Sequence, residues 1–225
     1  MRSARWCLLF LLAACGPAPA PTDSTQRHTG SAIDGIVFVH GISGSGSDWD
    51  EVVQNFVDDG WPADRLIARS YEDPKWGTNT GNANQLALWV KELSARGAQH
   101  IAVVAHSMGG LSSRFYLQRL GGTASVETFI TLGTMHHGLL SPCLSPVHVK
   151  VWDELCVAGS FITSLNSAPA TPGPTRWVSM FSDSDMIVSA DSARLPDAQN
   201  IEFSKLGHEG LLKSDEVYQR LKEEL

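Results

Sequence analysis

The segment HIAVVAHSMGGLSSRFYLQRL, His100–Leu120, decides how the rest of the chain is read. Ile101–Ala105 is a short apolar run rich in strand-forming residues, and Met108–Leu120 has the length and residue choice of a helix. Ser107 lies between them, with Ala105 before it and Gly109 and Gly110 after it. A chain that turns sharply from strand to helix needs small residues on both sides of the turn. The segment therefore reads as a serine held out on a tight turn to do chemistry. The helix beginning at Met108 would favour negative charge developing there. A small-x-Ser-x-Gly pattern is moderately specific alone and becomes strong between a good strand and a good helix.

A serine hydroxyl is a poor nucleophile without a base, and the base needs an orienting partner. The chain has eight histidines. His28 falls in a Pro-rich stretch, His40 in the first turn, and His106 inside the Ser107 turn, where it reads as a prop. His136, His137 and His148 lie in an irregular region. His136 and His137 are adjacent with no third ligand at useful spacing, so they read as loop or pocket-rim residues rather than metal ligands. His208, in KLGHEGLL, follows a late strand, where a loop beyond the carboxyl end would lie above the sheet. Asp183 and Asp185, in SDSDMIV, directly follow the strand TRWVSMF, and either could orient the histidine. The order Ser, Asp, His is that of a nucleophile-elbow hydrolase.

Outward from this centre, DGIVFVHG reads as a buried strand feeding a tight turn and SGSGS as a polar loop. DWDEVVQNFVDDG has helical spacing, with Asp48 as N-cap and Gly60 as stop. RLIARSY is a strand, NANQLALWVKELSARG an amphipathic helix closed by Gly97, and VETFITLG a strand. Residues 134–173 are irregular and rich in proline. TRWVSMFS and NIEFSK read as two more strands and GLLKSDEVYQRLKEEL as a closing helix. Strands alternating with helices predict an α/β fold, a mostly parallel sheet covered on both faces. Trp49 and Trp76 are candidates to line an apolar acyl site.

With these residues in place, the chain resembles the small bacterial lipases of the α/β-hydrolase superfamily, of the class 2 type. The matching segments are VFVHGISG, VVAHSMGG, ITLGT, DMIV and GHEGLL, spread over residues 36–212. Ala105 in place of the more usual glycine is itself a feature of that family. The resemblance implies Ser107 as nucleophile, Asp185 rather than Asp183 as the acid partner, and His208 as base. It also implies an oxyanion hole made by the backbone N–H groups of Ile42 and Met108. Ile42 lies in the turn after the first strand, where HGISG lets the backbone face a reacting carbonyl; one such donor is worth roughly 3 kcal/mol in comparable sites. The expected activity is hydrolysis of lipid or other acyl esters, with no cofactor and no metal. The same three residues could serve acyl transfer or amide cleavage, and a non-catalytic envelope protein of this fold is the remaining alternative. The stretch 135–173 is longer than in the smallest relatives and reads as part of an acyl pocket or a partial cover.

Composition fits this picture. The 225 residues are 43% hydrophobic and 18% charged, as in an ordinary globular protein. The net charge of −7 gives no support for a nucleic-acid partner, and a monomer is the expected state. Residues 1–14 carry Arg2 and Arg5 and then the apolar WCLLFLLAA, the layout of an export signal. The ending LAAC resembles a bacterial lipobox, which implies lipidation of Cys15 and attachment to a membrane of the cell envelope. Residues 15–32 read as a Pro-rich tether and 33–225 as the catalytic domain. Cys143 and Cys156 remain as a pair, which in an exported protein predicts a disulfide.

Overall fold

The computed structural model describes residues 32–225. The expected leader, Cys15 and nearly all of the tether lie outside the described residues. The strands are β1 (Gly35–Val39), β2 (Leu66–Ala68), β3 (Ile101–His106), β4 (Thr128–Leu132), β5 (Arg176–Ser182) and β6 (Gln199–Phe203). The main helices are α1 (Asp50–Asp58), α2 (Asn79–Ala95) and α3 (Met108–Arg119). Short helices α4 (Leu140–Cys143), α5 (Lys150–Asp153) and α6 (Ser160–Asn166) lie between β4 and β5. The chain continues through α7 (Ala190–Ala193), α8 (Gly210–Lys213) and α9 (Asp215–Glu224).

All six strands are parallel, in the order β2-β1-β3-β4-β5-β6. A parallel sheet is stable only when both faces are covered, and the period-2 alternation of a strand assigns each side chain to a face. Ile36, Phe38, Ala102, Val104, Ile130, Leu132, Val178 and Met180 pack with α1, α8 and α9. Their neighbours Val37, Val39, Val103, Ala105, Phe129 and Trp177 face the other way, toward α2 and α3. The strand order reverses between β1 and β3, because β2 is added on one side of β1 and β3 on the other. In an open parallel sheet that reversal opens a crevice beyond the carboxyl ends of the strands.

Several boundaries differ from the sequence reading. The helix expected from Asn82 begins at Asn79, because Thr78 Oγ1 accepts the Gly81 N–H and caps it three residues earlier. Asp48 does not cap α1. It sits in a 3₁₀ turn, Gly46–Trp49, where its carboxylate accepts the Ser45 N–H at 3.0 Å. The closing helix is broken at Ser214, whose extended backbone separates α8 from α9. Trp49 is fully buried against Phe38, with ring centroids 5.2 Å apart, and belongs to the core rather than to any acyl site.

Candidate active site

Ser107 follows the last residue of β3 and has φ 54° and ψ −129°, a conformation that a side chain rarely adopts. Three contacts hold it there. Its N–H donates to the Leu132 carbonyl at 2.9 Å, and its own carbonyl accepts the Gly110 N–H and the Thr134 hydroxyl. Gly109 brings α3 so close to β1 that a Cβ would collide with the His40 carbonyl and lie 2.9 Å from that of Val39. The small residues around the serine thus answer to backbone crowding.

Asp185 and His208 arrive from the carboxyl ends of β5 and β6. Asp185 Oδ1 accepts the N–H groups of Ile187 at 2.8 Å and Val188 at 2.9 Å, and Oδ2 lies 2.7 Å from His208 Nδ1. Burial by itself would raise the Asp185 carboxyl, but the His208 bond and the two amides outweigh it and hold the group below its ordinary value. An ionised carboxylate can only accept, so the His208 proton sits on Nδ1 and Nε2 is left with a free lone pair. Asp183, equally placed in sequence, is turned outward to Ser184, Ser204 and the Lys205 amide.

Ser107 and His208 line one cleft of about 500 Å³ together with Gly41, Ile42 and His106. Among the described residues no hydrogen bond joins Ser107 to the His208 ring, a contact that often forms only with substrate bound. Ile42 lies in the turn after β1, two residues past His40, and the next N–H, of Ser43, is tied to the Pro74 carbonyl at 2.8 Å. Neither the Ile42 nor the Met108 N–H has an acceptor among the described residues. Two free donors on the turns after β1 and β3 are the equipment an oxyanion requires. His40 steadies this turn: its Nδ1 bonds the Gly41 carbonyl at 2.7 Å and its Nε2 accepts the Tyr71 N–H at 3.0 Å. Burial lowers its pKa, which agrees with a neutral ring making both contacts.

Beside the polar Ser43, Asp48, Ser141 and Glu209, the cleft has an apolar lining made of Met135, Leu139, Pro142, Trp152, Leu155 and Ile187. Four of these belong to the 139–157 stretch, which carries a disulfide between Cys143 and Cys156 with Cα atoms 4.9 Å apart. The irregular region thus forms one side of the cleft, and Trp152 takes the place expected for Trp49 or Trp76. Trp76 is half-exposed and outside the cleft, with the Lys75 ammonium over its ring.

His136 is not a rim residue either. It is fully buried with Nε2 3.1 Å from Thr131 Oγ1, and burial holds its pKa well below the ordinary histidine value. His137 instead bonds the Arg194 carbonyl at 3.0 Å.

Gly133 is a site residue that the sequence reading passed over within ITLGT. Its φ is +57°, and a Cβ there would stand 3.2 Å from both Asp185 Oδ2 and His208 Nδ1. A glycine ending a strand, in a chain already carrying a Ser-Asp-His order, was the available signal.

A protein-family model described as "Putative serine esterase (DUF676)" matches residues 33–162, a span that holds Ile42, Ser107 and Met108. Among solved structures, the mature Bacillus licheniformis lipase BlEst2 is similar at 21% identity with a TM-score of 0.70. The match covers 87% of this chain and 94% of that one. Aspergillus fumigatus lipase B is similar at 17% identity and a TM-score of 0.67, covering 80% of this chain and 49% of that one. Legionella pneumophila phospholipase PlaB is similar at 14% identity and a TM-score of 0.66, over 79% and 53% of the two chains. These likenesses are likenesses of fold, and the fold is that of the α/β-hydrolases.

Proposed function

The chain belongs to the DUF676 serine esterase family, and from that premise we propose that it is a carboxylic ester hydrolase with Ser107 as nucleophile, His208 as base and Asp185 as the base's partner. The observation that carries the proposal is the 2.7 Å Asp185–His208 bond, set in the same cleft as a serine on a strained turn. Ser107 Oγ attacks the ester carbonyl carbon and gives its proton to His208 Nε2, while Asp185 stabilises the imidazolium. The oxyanion receives the Ile42 and Met108 N–H groups. As the tetrahedral intermediate collapses, the bond to the alcohol breaks and the alcohol leaves with the His208 proton. Water then attacks the acyl-enzyme by the same route and frees the acid and the serine.

The apolar residues that share this cleft suit an acyl chain, which supports lipid or other acyl esters as substrates. The export signal, the LAAC ending and the Pro-rich tether support an enzyme held at the cell envelope by acyl groups on Cys15. Full-length protein made in a bacterium is then expected in the membrane fraction, and Cys15→Ser in the soluble one.

The deciding experiment is a hydrolysis profile of the purified protein on p-nitrophenyl esters of increasing acyl length, beside emulsified triglyceride. Acid release that disappears in Ser107→Ala supports the proposal. No release from any ester refutes it, and acyl transfer to an added alcohol or amine in preference to water reassigns the reaction.

A further inference from the structure

The wall formed by residues 139–157 is built from pieces that cannot hold themselves. Its helices α4 and α5 have four residues each, far below the length at which a helix is stable alone. Much of its bonding is internal: the disulfide, a bridge between Leu139 and Cys156, and the N–H groups of Leu139 and Val157 bonded to Leu155 and Leu139. Those bonds give the wall its own shape but do not fix it to the domain.

Val151 and Leu155 pack in one buried cluster with Met108, Leu111 and Phe181, and Glu154 supplies the polar connection. It lies between the wall residues Trp152 and Leu155 and is 6% exposed. Its Oε2 accepts the Asn79 backbone N–H at 2.6 Å and the Asn79 Nδ2 at 3.0 Å. Among the described residues these are the only hydrogen bonds that leave 139–158 for parts of the domain outside 134–173. Asn79 is the first residue of the 17-residue α2, where the N–H groups lack partners within the helix and the dipole favours an anion. The tie continues inward, since Asn79 Oδ1 accepts the Ser112 hydroxyl at 2.8 Å. Ser112 belongs to α3, the helix that starts beside Ser107, and both Asn79 and Ser112 are fully buried. An apolar residue could fill this space without the desolvation that a carboxylate suffers. Burial accordingly pushes the Glu154 carboxyl up, against the Asn79 donors and Lys150. What the carboxylate adds over an apolar side chain is a fixed position.

We propose that Glu154 is a positioning residue that pins the acyl-side wall of the cleft to the start of α2, and so sets how well long acyl chains are accepted. The specificity part rests on the ester hydrolase reading, whereas the pinning does not. Removing the carboxylate frees Trp152 and Leu155 to shift while Ser107, His208 and Asp185 keep their own supports. The effect falls on the part of a substrate that reaches the wall.

The test compares full-length wild-type protein, Glu154→Ala and Glu154→Gln by hydrogen exchange and by hydrolysis of p-nitrophenyl acetate and laurate. In Glu154→Ala, faster exchange is expected within 139–157 and the first turn of α2, with β3 and β4 as protected as before. On laurate, KM is expected to rise about tenfold, with acetate hydrolysis changed by less than about threefold. Glu154→Gln keeps the shape and one carbonyl acceptor and is expected to fall between the two, which also decides the matter if the alanine variant does not fold. Unchanged exchange in 139–157, or faster exchange throughout the sheet, overturns the pinning. Equal losses on both esters overturn the link to acyl length. If the wild type cleaves neither ester, the esterase reading fails, and the exchange pattern still decides whether Glu154 pins the wall.

Discussion

His106 Nε2 lies 3.2 Å from the backbone carbonyl oxygen of His208, and the two rings stand 4.6 Å apart at a tilt of 45°. The residue beside the proposed nucleophile is thereby bonded to the loop that carries the proposed base. Burial, followed by the nearby His208, lowers the His106 pKa to about 4, so the ring is neutral and its Nε2 carries the donated proton. His106→Phe keeps the ring and removes the donor. Its kcat on a soluble ester is expected to fall about tenfold with little change in KM, and His106→Gln, which retains a donor, to recover part of the loss. Full kcat in the phenylalanine variant means that the contact is packing alone.

The buried imidazoles also set how stability responds to acid. His106, His40 and His136 all have folded-state values below the ordinary 6.5. As pH drops through that region the unfolded chain gains protons that the folded chain refuses, so stability falls with pH. For His106, a fall from 6.5 to about 4 corresponds to roughly 3 kcal/mol. Asp185, held below 3.8, withdraws its contribution only at still lower pH, and Glu154, raised by burial, acts in the opposite sense over its own range. Thermal melting followed from about pH 7 to about pH 4.5 is expected to show a steady decline that His106→Gln flattens. A level profile over that range contradicts the burial of these rings as neutral groups.

Ser107 is both the proposed nucleophile and the residue at positive φ in its turn. Ser107→Ala is expected to lose ester hydrolysis by orders of magnitude while remaining folded. Ser107→Gly is equally inactive, but at φ 54° it removes a penalty that alanine keeps, for a gain of about 1 kcal/mol over the alanine variant. Equal melting temperatures for the two variants mean that the turn is not strained.

These features differ in how far the sequence revealed them. β1, β3 and α3 were legible because a short apolar run, a turn crowded with small residues and a helix-length segment follow one another without ambiguity. The start of α2 was not, since Asn79, Thr80 and Gly81 show no apolar period and only the Thr78 cap makes them helical. Asp183 and Asp185 are equivalent on the strand's carboxyl end. The loop turns one to solvent-side serines and the other to His208, and resemblance alone had separated them. His136 looked like a loop histidine because nothing local shows that the chain after β4 folds back into the core. The Glu154–Asn79 contact spans 75 residues and leaves no periodic trace.

Gly133 tests how tightly the Asp185–His208 pair is enclosed. In Gly133→Ala the new methyl would stand 3.2 Å from atoms of both residues and 2.9 Å from Leu211 Cδ1, at a φ of +57°. A stability loss of about 1 kcal/mol is expected from the backbone alone, with a larger proportional fall in kcat from displacement of the ring. Loss of stability with kcat intact implies that Leu211 yields instead and the pair stays in place.

The disulfide should matter to the wall before it matters to the chemistry. Cys143 and Cys156 are 13 residues apart, and closing a loop of that order constrains the unfolded chain by about 3 kcal/mol in the entropic description. For a protein of this size that is a fall of roughly 6–12 °C in melting temperature when the bond is lost. Neither cysteine touches Ser107, Asp185 or His208, so a Cys143→Ser/Cys156→Ser variant is expected to melt earlier while still cleaving short esters. On the proposed reading, in which long acyl chains lie against Leu139, Pro142, Trp152 and Leu155, long esters should suffer more, because the bond joins the end of α4 to the residue after Leu155. Mass spectrometry of the wild type after alkylation without reductant establishes first that both thiols are blocked. With that shown, an unchanged melting temperature in the double variant means that Glu154 and the apolar packing hold the wall without the bond. A loss of short-ester hydrolysis equal to the long-ester loss means that the wall and the catalytic groups are not mechanically separate.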